Sequence, residues 1–242
     1  MEHHKVVSHE EWLVARKRLL AEEKEFTRLR DRLSQQRRDL PWEPVDKEYV
    51  FEGPKGREAL AELFDGRSQL IVYHAMFDSA TASPSTSWTR DAACAGCSFW
   101  ADNFDGIVVH LNHRDVTLVA VSRAPYAKID AYRKRMGWSF HWFSSAETEF
   151  NVDYKVSFTA TEIAEKKAEY NYTIQDPKQP EREGLSVFAK DASGRIFHTY
   201  SAYARGIDLV NTAYNYLDLV PKGRDEGTDG LDWVCRHDEY ED

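Results

Sequence analysis

Apolar residues recur at every seventh position near the start of the chain. Trp12, Leu19, Phe26 and Leu33 form one row, flanked by Leu13, Leu20 and Leu29, on a background dense in Lys, Arg and Glu. That spacing predicts one long helix over residues 8–38 with a single narrow apolar stripe. Ser8 and Glu11 fit a capping box at its start, each side chain meeting the other's backbone amide. Pro41 ends it, because the residue before a proline avoids the α region. The stripe is expected to pack on the chain's own domain, since the second seam position is often polar (Arg16, Glu23, Arg30). Pairing of two copies through this helix is the other use of the same surface.

From residue 49 the periodicity changes to short apolar runs between breakers. Residues 49–51 read as a strand and 56–64 as a short helix stopped near Gly66. Residues 69–74 form a continuous apolar run, as a strand buried on both faces does. A Ser- and Thr-rich loop is expected over 78–89, then a helix over 98–105 and a second buried strand over 116–121. Pro125 opens a helix that Gly137 stops after Met136. Residues 138–143 read as a third strand. An irregular insert spans about 144–183, with one helical piece over 161–170. Residues 185–189 and 195–200 flank Asp191-Ala192-Ser193-Gly194, a hairpin signal, and a last helix runs over 207–220 to Pro221. Strands alternating with helices and closed by an antiparallel hairpin predict a mixed α/β sheet with helices packed on it. The expected organisation is a helical arm over 1–41 and one α/β domain over 42–242.

The formal net charge of −9 disfavours nucleic acid as a partner, which needs a basic surface. Acidic residues concentrate near the C-terminus, from Asp225 to Asp242, and read as a solubilising tail. No run approaches the roughly 20 apolar residues of a membrane span. No signal-peptide core follows Met1, so a cytoplasmic protein without a membrane partner is expected.

Two of the three cysteines, Cys94 and Cys97, stand at C-x-x-C spacing between a buried strand and a helix start. A thiol reacts as thiolate, and unpaired amides at a helix start favour that form. Cys97 lies one turn on, within reach of a disulfide. Cys94 is therefore expected to attack and Cys97 to resolve, with no cofactor, on a thiol or disulfide substrate that is a protein or a small molecule. Two other uses stay open. The pair can be small core residues, or it can join Cys235 and His237 in a Cys3His metal shell, making the protein a non-redox metal- or small-ligand-binding one. His74 ends the strand that leads toward the motif and is a candidate proton shuttle or ligand. Arg123 follows a buried strand at the sheet edge where α/β proteins place sites. The polar, aromatic run from His198 through Tyr200 to Arg205 suggests an adjacent pocket. There Arg205 would bind a carboxylate or phosphate, or else fix the acidic C-terminal segment.

Several motifs together resemble one bacterial family. They are Tyr73-His74 with Phe77, Cys94-Ala95-Gly96-Cys97-Ser98-Phe99-Trp100-Ala101-Asp102, Arg114-Asp115-Val116-Thr117, Ser122-Arg123-Ala124-Pro125, Met136-Gly137-Trp138 and His198-Thr199-Tyr200-Ser201 continuing to Tyr203-Ala204-Arg205-Gly206. Over about residues 5–240 the chain is similar to the domain-of-unknown-function 899 family, whose members are labelled predicted dithiol-disulfide oxidoreductases. The resemblance implies a thioredoxin-like fold: a mixed sheet flanked by helices, with the long N-terminal helix and a C-terminal extension added. It also implies that Ile107-Val108-Val109-His110-Leu111, locally strand-like, is helical. A thioredoxin carries a cis-proline before the hairpin's first strand, facing the dithiol. That place falls here near Glu183-Gly184, which leaves room by the sulfurs for a small molecule or a metal. The approach to Cys94 from Thr89 also lacks the peroxiredoxin spacing of Pro and Thr.

Overall fold

The computed structural model describes residues 4–77, 91–227 and 230–241; the loop expected over 78–89 lies outside them. The chain opens with α1 (His9–Arg38), capped at Ser8 by the expected capping box with Glu11. β1 (Glu43–Pro44), β2 (Val50–Gly53), β3 (Gly56–Ala59) and β4 (Gln69–His74) follow. α2 (Ala95–Ala101) and α3 (Phe104–Asn112) lead to β5 (Val116–Ser122), α4 (Tyr126–Arg135) and β6 (His141–Ser144). The insert holds α5 (Phe150–Asp153), α6 (Ala160–Glu165) and a small hairpin of β7 (Ala168–Tyr170) and β8 (Thr173–Gln175). β9 (Gly184–Lys190), β10 (Ile196–Tyr203) and α7 (Thr212–Leu217) complete the domain.

Eight strands form one sheet in the order β1-β10-β9-β4-β5-β6-β2-β3. β4 runs parallel to β5 and antiparallel to β9, and β9 pairs antiparallel with β10. A parallel pair joined through the C-x-x-C helix, followed by an antiparallel hairpin on the other side of the first strand, is a thioredoxin-like arrangement. β4 is buried on both faces, so successive side chains enter different layers. Leu70 and Val72 pack with Phe64, Phe150 and Phe188. Ile71 and Tyr73 pack in the layer that holds Cys94, Cys97, Trp100 and Trp142.

Four expectations are corrected. Residues 56–64 are not a helix. Gly56 takes φ +92°, closing a tight hairpin in which Gly53 pairs with Gly56, so the turn chemistry of Pro54-Lys55-Gly56 overrides the helical pattern. The helix expected over 207–220 is broken, because the Asn211 side chain accepts the amide of Tyr214 and starts α7 there, after a 3-10 stretch, Ala204–Val210. The helical piece of the insert ends at Glu165, where Lys166 turns left-handed at φ +55°, and residues 168–170 are extended. Finally, no residue of α1 is buried: Trp12 remains 52% and Phe26 66% exposed. The helix meets the domain at its C-terminal end, where the Arg37 guanidinium lies over the Tyr200 ring. Its stripe is therefore not packed on the domain, contrary to the expectation drawn from the polar second seam position. The segment 107–111 is helical, within α3. Among the described residues no helix is long and apolar enough to cross a membrane.

Candidate active site around Cys94 and Cys97

The dithiol is held by the three residues that follow β4. The amide of Ala75 donates to Val121 in the sheet, and that of Ala124 to Phe77, which ties the segment to the end of β5. Between them, Met76 takes the amide of Cys94 on its carbonyl at 3.0 Å and donates its own amide to Cys97 Sγ at 3.3 Å. Cys94 is the N-cap of α2, with extended dihedrals (φ −51°, ψ 131°). Its carbonyl accepts both the amide and the hydroxyl of Ser98, each at 2.9 Å, and the hydroxyl is also shared with Tyr132. The backbone is thus fixed on both sides of the motif.

Both cysteines are free thiols and both are 3% exposed. Burial pushes the Cys97 thiol well above its ordinary range. A hydrogen bond with Cys94 and the nearby charges of Cys94 and Glu183 act in the same direction, while the Met76 amide acts against them. The two sulfurs line a cavity of about 410 Å³. Tyr73 and Trp100 form part of its wall. Glu183 enters it from the residue before β9, since Gly184 pairs with His74 across the sheet. This is the place where the resemblance located the absent proline. The described residues contain no cis peptide bond. The Glu183 carboxylate accepts the Tyr170 hydroxyl at 3.2 Å. Gly184 is required for the close approach, because a Cβ there would lie 2.8 Å from Val156 and 2.9 Å from the Tyr203 ring.

The C-terminal segment closes the cavity and is not merely a solubilising tail. Leu231 and Val234 line the site, and Leu231 lies 3.3 Å from where a Cβ on Gly96 would stand. Arg236, 7% exposed, donates from Nε and Nη2 to the carbonyl of Ala93, immediately before Cys94, and pairs with Glu239. Asp238 and Glu239 both pair with Arg135 on α4. These acidic residues are anchors because basic partners on the domain face them, which charge density alone does not reveal. Asp229 and Asp242 lie outside the described residues.

Of the other predicted site residues, Arg205 lines this cavity; its Nε is bound to Asp208 at 3.2 Å and not to the acidic C-terminal segment. His74 does not reach the sulfurs. It follows Tyr73 on β4, so strand alternation sends it to the opposite face, stacked on Phe150 and Tyr154. There its Nε2 meets the Ser186 hydroxyl at 2.9 Å, Ser186 meets Ser201 at 2.9 Å, and Ser201 meets His198 Nε2 at 2.8 Å, with Glu43 on His198 Nδ1. His198 is thus part of a polar relay stitching β4, β9, β10 and β1 together. Tyr200 lies under Arg37. Arg123, half-buried after β5, is not part of the cavity wall. Cys235 is exposed and His237 bonds to Asp102, so the Cys3His set is not assembled. No group of three His, Cys, Asp or Glu side chains among the described residues could hold a metal ion. Sequence alone did not single out Tyr73, Arg182 or the Glu183 carboxylate. The only signal for Glu183 was the missing proline.

The relay carries a pH prediction. Burial pushes His74 down to about 3, against an ordinary value near 6.5. The unfolded chain takes up that proton at about pH 6.5 and the folded protein does not until about pH 3. This contribution to stability is therefore complete above about pH 6.5 and is lost as pH falls, at up to about 1.4 kcal/mol per pH unit. Urea midpoints measured between pH 7 and 4.5 are expected to fall more steeply for the natural protein than for His74→Gln. Equal slopes would contradict a neutral buried His74.

No curated protein matches the chain. Among solved structures, it is similar to peroxidoxin BcpB from Mycobacterium tuberculosis, with 12% identity, 71% of this chain and 93% of that chain covered, and a TM-score of 0.43. Peroxiredoxin Q of Xanthomonas campestris gives 13% identity, 72% and 96% coverage and a TM-score of 0.46. A PrxQ mutant of Xylella fastidiosa gives 11%, 72% and 95%, and 0.44. The assignment of the fold rests on strand order and not on these likenesses. The model of the family described as "Bacterial protein of unknown function (DUF899)" matches residues 1–240, and the chain belongs to that family.

Proposed function

We propose that this protein is a thiol-disulfide oxidoreductase whose working groups are Cys94 and Cys97. The observation that carries the reading is that two free thiols one helical turn apart, in mutual hydrogen-bond contact, line one cavity. The Cys94 thiolate attacks a substrate disulfide, forming a mixed disulfide and releasing one thiol. Cys97 then attacks the Cys94 sulfur, closing the intramolecular disulfide and releasing the second thiol. A Cys97 thiol held above its ordinary range suits the second role, because it stays protonated until the mixed disulfide forms beside it. In a reducing compartment such as the cytoplasm the pair rests as the dithiol.

The test is a redox titration of the purified protein in glutathione or dithiothreitol buffers, read by thiol trapping and intact mass. A reversible two-electron transition at roughly −120 to −270 mV, the range of known thioredoxin-like couples, is the expected result. Thiols that never pair, or that resist trapping until a chelator is added, would overturn it.

A further inference from the structure

We infer that the disulfide reduced at this site belongs to a low-molecular-weight, amino-acid-like zwitterion and not to a protein. The inference rests on the dithiol reading above and adds to it the substrate class. Three separate parts of the chain wall the sulfurs in: residues 179–183 of the insert, the 3-10 stretch Ala204–Val210 and residues 230–234 of the C-terminal segment. The last of these is pinned by the Arg236 bonds to Ala93 and by Leu231 against Gly96. A protein disulfide arrives with two polypeptide chains attached, and disulfide exchange requires one of its sulfurs to approach Cys94 Sγ directly. With both cysteines 3% exposed and lining a cavity of about 410 Å³, a small disulfide reaches Cys94 Sγ far more readily than one carrying two flanking chains. That volume lies in the usual range of small-molecule sites.

The charges on the wall select further. Near the sulfurs it is apolar, with Met76, Trp100, Ile207, Leu231 and Val234. Arg224 is committed to Asp208 and Asp218, and Glu226 to the Tyr214 hydroxyl. Arg182 is different. Its guanidinium lies over the Tyr170 ring, its buried Nε has no hydrogen-bond partner, and no carboxylate pairs with it among the described residues. Beside it stands Glu183, whose carboxylate accepts the Tyr170 hydroxyl and, among the described residues, pairs with no cation. Adjacent residues thus offer one uncommitted positive and one uncommitted negative group to the same cavity. An α-carboxylate and an α-ammonium on one small molecule match that pair, and the Arg182 fork suits a carboxylate. The balanced reaction is R–S–S–R plus the dithiol giving two R–SH plus the Cys94–Cys97 disulfide. Two electrons pass to the substrate sulfurs, and the two thiol protons leave on the products.

Single-turnover mixing of the fully reduced full-length protein with cystine, neutral 2-hydroxyethyl disulfide or insulin tests this. Each rate is divided by that of dithiothreitol with the same disulfide. Cystine is expected to exceed both others by about tenfold or more, the scale of one charge-assisted contact. Arg182→Gln is expected to remove that advantage, bringing the normalised rate with cystine down to that with 2-hydroxyethyl disulfide measured on the same variant; an advantage that survives the substitution overturns the assignment of Arg182. Insulin reacting as fast as cystine, or cystine showing no advantage over the neutral disulfide, overturns the inference and leaves the oxidoreductase standing. Failure of all three to oxidise the pair overturns the oxidoreductase reading itself, and the inference with it.

Discussion

A Cys97→Ser protein is expected to stop halfway through its reaction. Mixed with a small disulfide, it should accumulate one substrate thiol on Cys94, seen as a single adduct by intact mass and removed by dithiothreitol. Cys94→Ser should give no comparable adduct, because the remaining sulfur is the one that burial keeps protonated. Multiple-turnover disulfide reduction is expected to fall about a thousandfold or more in either variant, since two sulfurs acting as one unit cannot substitute for each other. The substitutions are conservative in size, and the contacts that hold the motif are largely backbone ones through Met76 and Ser98, so both proteins should fold. The order of roles depends on this result. If Cys94→Ser traps the adduct and Cys97→Ser does not, Cys97 is the attacking group, and the amide of Met76 at its sulfur would be the reason.

The largest effect on stability is expected from Phe150→Ala, at about 3–5 kcal/mol lost. Phe150 is fully buried on α5, a four-residue helix inside the insert. Its ring meets Tyr49 at 5.1 Å and Phe51 at 4.9 Å edge-on, packs against Tyr154 at 4.7 Å, and stacks on His74 at 5.4 Å. Removal leaves a ring-sized cavity lined by rings from the start of β2, from β4 and from the end of α5, which cannot collapse together. Denaturant midpoints with slopes provide the measurement. Since the ring lies across the sheet from the cysteines, the dithiol of the folded variant should titrate at an unchanged potential. A loss below about 1 kcal/mol would mean that α5 is only loosely docked.

Much of the architecture was legible because it is written locally. The capping box at Ser8, the doubly buried run of β4, the Gly137 stop and the Asp191–Gly194 turn are each set by a few neighbouring residues. The same holds for Cys94 at a helix start. The misread segments are those where two local signals compete. At residues 54–56 a turn overrode a helical pattern, and at Asn211 a side-chain cap cut a helix short. The insert was opaque because α5 owes its place to aromatic contacts with β2 and β4, far away in sequence.

The sequence by itself determined the long first helix, the buried β4 and β5, the closing hairpin, the position of the dithiol at the start of α2 after β4, and the family to which the chain belongs. Tertiary structure alone decided which residues share the site. His74 and Tyr73 are neighbours on one strand, yet alternation sends one to the relay and the other to the sulfurs. Glu183 and Arg182 reach the cavity because β9 pairs with β4, and Leu231 and Arg236 because the last segment folds back over α2. Adjacency across a sheet and closure by a distant segment are long-range contacts, and no local pattern of residues encodes where such contacts fall.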